Sequence, residues 1–86
     1  MTVREDLAER FGDDLLFADG FDEAIIGVST VFHNDIVTYD YHKCVGILVE
    51  RDGMSDTEAI EFISYNVTGA YVGEKTPAFL QLIDEL

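Results

Sequence analysis

"AIIGVSTVFHNDIVTYD", residues 24–40, decides the fold of this chain. β-Branched and aromatic residues dominate both halves, and the polar group His33-Asn34-Asp35 interrupts them in the middle, which is the pattern of two short strands joined by a turn. It predicts a β-hairpin with strands at about 24–32 and 36–39. Segments of helical period lie on either side of it, so the chain reads as a small sheet covered by helices.

Downstream, Asp40 stands as an N-cap ahead of "YHKCVGILVER" (41–51), in which Tyr41, Cys44, Ile47 and Leu48 share one helical face and Asp52-Gly53 supplies the stop. Gly46 inside this helix costs about 1 kcal/mol relative to alanine. It therefore predicts a helix or strand packed close to that position. Ser55 and Glu58 form a capping box for a second helix that continues through Ile60, Ile63 and Val67 to Ala70 or Tyr71, ending at Gly73. After "GEKT", Pro77 presets an extended chain for "AFLQLI" (78–83). Upstream, Thr2 and Glu5 have capping-box spacing, Val3, Leu7, Ala8 and Phe11 recur at helical intervals, and Gly12 ends the run. "DDLLFADGFDE" (13–23) reads as a loop pinned to the core by Leu15, Leu16, Phe17 and Phe21, with room for one helical turn. The expected fold is a single α+β domain over residues 1–86 in the order α-β-β-α-α-β. Its short antiparallel sheet consists of the hairpin at about 24–39 and a C-terminal strand at about 77–83, covered by helices.

Eighty-six residues suit one domain, and a hydrophobic content of 48 %, with ten Phe and Tyr, is enough to pack a core in spite of the charge. A single cysteine, Cys44, excludes an internal disulfide, and the N-terminus shows no basic segment followed by an apolar one. A cytosolic protein with no membrane span is expected. Eighteen Asp and Glu against five Lys and Arg give a formal net charge of −13, a field that repels nucleic acid and anionic lipid and attracts basic partners. Residues 1–24 hold eight of the acids (Glu5, Asp6, Glu9, Asp13, Asp14, Asp19, Asp22, Glu23) against Arg4 and Arg10. The same composition also serves as an adaptation to salt or for solubility.

The patterns of common catalytic and metal sites do not fit. If Gly53 is set on the invariant glycine of a calcium loop, Leu48 falls on the first ligand position and Ala59 on the bidentate acid position. His33, His42 and Cys44, with Asp35 and Asp40 nearby, lack the paired spacing of a zinc site, and residues 42 and 44 point to different sides of a helix. Ser29, Ser55 and Ser64 have no nucleophile-elbow context, and neither a P-loop nor a dinucleotide fingerprint occurs. Carboxylate pairs such as Asp13-Asp14 arise by chance in so acidic a chain. "NVT" at 66–68 matches the glycosylation sequon inside a predicted helix and reads as coincidence. No catalytic residue, cofactor or metal is expected. The small residues Asn66, Gly69 and Gly73, with Tyr65 and Tyr71 beside them, suit a close packing seam, against the hairpin or against a partner.

"DGFDEAIIGV", "YDYHKCVGIL", "RDGMSDTEAIEF" and "NVTGAYVGEKTPAF", within residues 19–79, resemble a family of small uncharacterised proteins encoded widely in tailed phages and in bacteria and archaea. The resemblance implies a phage or prokaryotic origin, hence the host cytoplasm for a phage-encoded protein. It implies no activity or site residue.

The function expected is that of a small acidic, non-enzymatic binding protein that engages a basic, nucleic-acid-handling protein, as an inhibitor or a nucleic-acid mimic, without itself contacting nucleic acid or membrane. Asp13, Asp14, Asp19, Asp22 and Glu23, with Tyr65 and Tyr71, are the candidate partner-binding residues. One alternative is a self-associating assembly module, a homodimer formed through the seam of Tyr65 and Tyr71. The other is a small metal-dependent enzyme using His33, His42 and Asp40.

Overall fold

The computed structural model describes residues 2–66 and 72–85. Helix α1 (Val3–Phe11) is followed by a loop that ends in a 3₁₀ turn, Asp22–Ala24, and strands β1 (Ile25–Val31) and β2 (Asn34–Asp40) form the hairpin. Helices α2 (Tyr41–Asp52) and α3 (Asp56–Asn66), strand β3 (Ala78–Leu80) and a second 3₁₀ turn, Ile83–Glu85, complete the chain. The result is an α+β domain with the order α-β-β-α-α-β, as the sequence pattern predicts.

The turn of the hairpin is tighter than the polar break suggests. Val31 pairs with Asn34, so only Phe32 and His33 lie in the loop, and both have positive φ, 48° and 68°. Two central residues in the left-handed region match the twist of the flanking strands, a geometry that Asn-Gly usually supplies. Here two residues with bulky side chains adopt it. Asn34 and Asp35, expected in the turn, instead begin β2, where Asp35 accepts a bond from the Thr30 hydroxyl at 3.2 Å. At the other end the register shifts between Ile25 and Gly27, a bulge that leaves Ile26 as the extra residue.

The sheet order is β1-β2-β3. The hairpin is antiparallel as expected, but β3 runs parallel to β2, with Thr38 opposite Ala78, Tyr39 opposite Phe79 and Asp40 opposite Leu80. Alternation along a strand carries no direction; the direction comes from the connection. The connection through α2 and α3 lets β3 enter opposite Thr38 and run in the same direction as the last residues of β2, which is the kind of crossover that parallel neighbours require. The third strand is also shorter than the 77–83 expected.

Val37 and Tyr39 of the central strand are fully buried among Leu15, Phe21, Ala24, Cys44, Leu48, Ala59 and Ile63. The Tyr39 ring stacks on Phe79 with centroids 5.2 Å apart, and its hydroxyl accepts a hydrogen bond from the Ala18 amide at 2.7 Å. One side chain thus ties the N-terminal loop and β3 to β2. The Asp40 carboxylate caps α2 by accepting from the Lys43 amide at 3.2 Å, and Gly53, in the left-handed conformation at φ 70°, closes that helix. Ser55 and Glu58 bond each other's amides at 2.9 and 3.1 Å, the reciprocal cap read from their spacing. The close neighbour expected at Gly46 is not there: a Cβ at that position would meet no described atom within 4 Å.

Helix α1 has the expected capping box but buries no residue fully. Ion pairing and the half-buried Leu7 hold it. Arg4 Nε lies 3.0 and 2.9 Å from the two carboxylate oxygens of Asp22, its Nη2 lies 3.1 Å from Asp19, and its guanidinium sits over the Phe17 ring at 4.7 Å.

Candidate functional site

The candidate acids divide into paired and unpaired groups. Asp19 and Asp22 share Arg4, and the hydrogen bond to Asp22, ahead of the one to Asp19, raises the guanidinium further above its ordinary range. Asp14 lies 3.2 Å from Lys75. Asp13 and Glu23 have no ion pair among the described residues. Arg51 is likewise committed: it binds Asp52 at 3.0 Å and donates from Nη1 to the Gly20 carbonyl at 2.6 Å. Gly20 has φ 90°, and a Cβ there would press on Arg51 Nη1 at 3.3 Å, so glycine is required for this contact. Three of the five cations are therefore engaged in pairs, which leaves Arg10 and Lys43 as the basic side chains without an ion pair among the described residues.

Around Glu23 the surface is concave. A groove of about 390 Å³ between the Asp22–Ala24 turn and α2 is lined by Gly20, Asp22, Glu23, Ile47, Glu50 and Arg51. A second depression of about 380 Å³, lined by Glu23, His42, Lys43, Gly46, Ile47 and Glu50, continues it along α2. Glu23, Ile47 and Glu50 belong to both, so two exposed carboxylates flank a half-buried aliphatic floor. Glu50 is absent from the acids picked out by sequence. It lies on α2, remote in sequence from the acidic N-terminal quarter, and only the contact of the 22–24 turn with that helix brings it beside Glu23.

Tyr65 is 82 % exposed near the end of α3, beside Met54, Glu58, Glu61 and Phe62. Tyr71, its expected companion, and Gly69 of the expected seam lie outside the described residues. Asn66 donates from its side chain to the Phe62 carbonyl at 3.2 Å, within its own helix. Phe62 and Asn66 also border an apolar cleft of about 270 Å³, with Phe17, Phe21, Pro77 and Phe79 on its other sides.

The metal-ligand candidates are dispersed. His33 stands at the hairpin tip, a strand length of roughly 20 Å from Asp40 by the rise per residue, and Asp40 is occupied in capping α2. Among the described residues no group of three or more His, Cys, Asp or Glu side chains is placed to hold a metal ion. Cys44 is fully buried, and burial foremost, with Asp40 adding to it, pushes its thiol up to about 12. A thiol held neutral is a poor nucleophile and ligand. No described helix is long and apolar enough to cross a membrane.

No protein-family model, curated protein or solved structure matches this chain. The resemblance of residues 19–79 consequently adds no assigned residue to the surface described above.

Proposed function

We propose that this protein is a non-enzymatic binding module that takes up a basic protein segment along the groove between the Asp22–Ala24 turn and α2. The reading rests on the groove's chemistry: Glu23 and Glu50, both exposed and without an ion pair among the described residues, stand over the apolar Ile47. A lysine or arginine of a partner lays its methylene stem on such a floor and its charged head between the carboxylates. Asp13 is a further exposed acid without an ion pair among the described residues, while Asp14, Asp19 and Asp22 serve mainly to fix Lys75 and Arg4. A nucleic-acid-handling protein of a phage host or other prokaryote, inhibited by occupation of its basic site, is the partner class that the net charge of −13 favours.

The test is capture of partners from prokaryotic lysate at about 0.1 M and about 1 M salt, where screening lengths are about 10 and 3 Å, followed by titration of the purified partner. Binding is expected to weaken with salt and to fall at least tenfold in the Glu23→Gln, Glu50→Gln double variant. A partner that binds this variant as tightly as the parent chain would place the interface elsewhere.

A further inference from the structure

We propose that β1 is a self-association edge, and that two copies of the chain pair β1 to β1, antiparallel, into one continuous six-stranded sheet. Strand β1 lies at the outside of the sheet, and among the described residues no backbone hydrogen bond outside the hairpin ladder reaches it beyond its first residue, Ile25, whose N–H donates to the Asp22 carbonyl of the preceding turn. In a two-residue hairpin the pair flanking the loop is hydrogen-bonded, so Val31, Ser29 and Gly27 bond β2, while the N–H and C=O groups of Thr30 and Val28 face outward. Proteins commonly blunt such an edge with lysine, proline, inward charges or extreme shortness. This one has seven residues, "IIGVSTV", without a charge or a proline, and its bulge is confined to one end, at Ile26.

Charge selects the occupant. Residues 24–34 carry no Asp, Glu, Lys or Arg in a chain of net charge −13. A basic partner is drawn to the carboxylates and finds nothing to hold it here, whereas a second copy, repelled wherever acids would face acids, can approach along this strand. The strand is also complementary to itself. With Ser29 at the two-fold axis, Val31 of each copy falls opposite Gly27 of the other, where an added Cβ meets nothing within 4 Å, and the turn that carries Phe32 comes to the bulged end of the partner strand, where Ile26 lies. Those are the exposed apolar residues of this edge: Phe32 is 93 % exposed, Ile26 46 % and Val31 43 %. The pairing explains why a phenylalanine occupies a left-handed turn position that asparagine or glycine fills at lower cost. Each edge offers the same patch, so the contact closes as a dimer and does not propagate.

The experiment is sedimentation equilibrium of the full chain across concentration and salt, with amide exchange read at Val28 and Thr30. A dimer is expected that tightens as salt screens the repulsion between two acidic copies, opposite in sign to the capture of a basic partner. Slower exchange at Val28 and Thr30 should accompany it. Thr30→Lys, at an exposed edge position, should weaken association at least tenfold and leave the far-ultraviolet circular dichroism of the monomer unchanged. Replacing Phe32 with Asn and His33 with Gly should raise the melting temperature of the monomer while weakening the dimer. A chain that stays monomeric in high salt with fast exchange at both amides would overturn the proposal. So would a dimer untouched by Thr30→Lys, which would point to the face around Tyr65.

Discussion

Cys44 shows how one buried side chain links packing to solution behaviour. It is the only cysteine of the chain, and burial moves its thiol from the ordinary 9.0 up to about 12. A thiol that stays protonated longer in the folded state than in the unfolded one contributes stability that is complete below pH 9.0 and lost as the pH rises toward about 12. Tyr39, raised first by desolvation, acts with the same sign. Denaturant unfolding followed from neutral to alkaline pH is expected to show stability falling above pH 9.0, and falling less steeply in Cys44→Ala, where only Tyr39 and the other titrating groups remain. Equal slopes in the two proteins would remove Cys44 as a cause. Alkylation gives an independent reading, since a buried neutral thiol reacts only when the structure opens.

At the scale of elements, the helices show which signals are local and which are not. Capping boxes, the Asp40 cap and the stop at Gly53 were legible because each is a contact between residues three to five positions apart. The parallel direction of β3, the two-residue turn and the pairing of Arg4 with Asp19 and Asp22 were not, because each depends on where distant segments meet. The candidate site divides in the same way: Asp13, Asp14, Asp19, Asp22 and Glu23 stand out from composition, but Glu50 joins Glu23 only through the packing of α2. Gly46 is the instructive failure. A helical glycine commonly makes room for a close neighbour, yet here the space above it is open to described atoms. Gly46→Ala should therefore stabilise α2, and with it the domain, by about 1 kcal/mol, an upward shift of roughly 4–8 °C in melting temperature for a domain of this size. Gly46 also lines the depression beside Glu50, so the same variant should be titrated with the basic partner. Gain in stability with loss of binding would give the glycine a functional reason, and loss of stability would mean that α2 needs it for packing.

For the whole molecule the governing quantity is the net charge of −13 within a radius of gyration of 13.1 Å. The screening length at 0.1 M salt, about 10 Å, is comparable to that radius, so much of the self-repulsion survives there and little of it at 1 M, where the length is about 3 Å. Among the described residues, salt acts against stability through the pairs of Arg4, Arg51 and Lys75, whose partners Asp19, Asp22, Asp52 and Asp14 are all substantially exposed. Exposed pairs contribute about 0.2–1 kcal/mol each. Repulsion summed over an excess of thirteen charges outweighs three such sites, so the melting temperature should rise as sodium chloride goes from low concentration to about 1 M. Sodium sulfate at matched ionic strength separates screening from a general strengthening of apolar burial, because excluded salts act on burial whatever the charge. A rise confined to sulfate would assign the effect to burial. A fall in chloride would mean that the three cations stabilise more than the acids repel, and the acidic surface would then be better described as a set of structural pairs than as a field awaiting a basic partner.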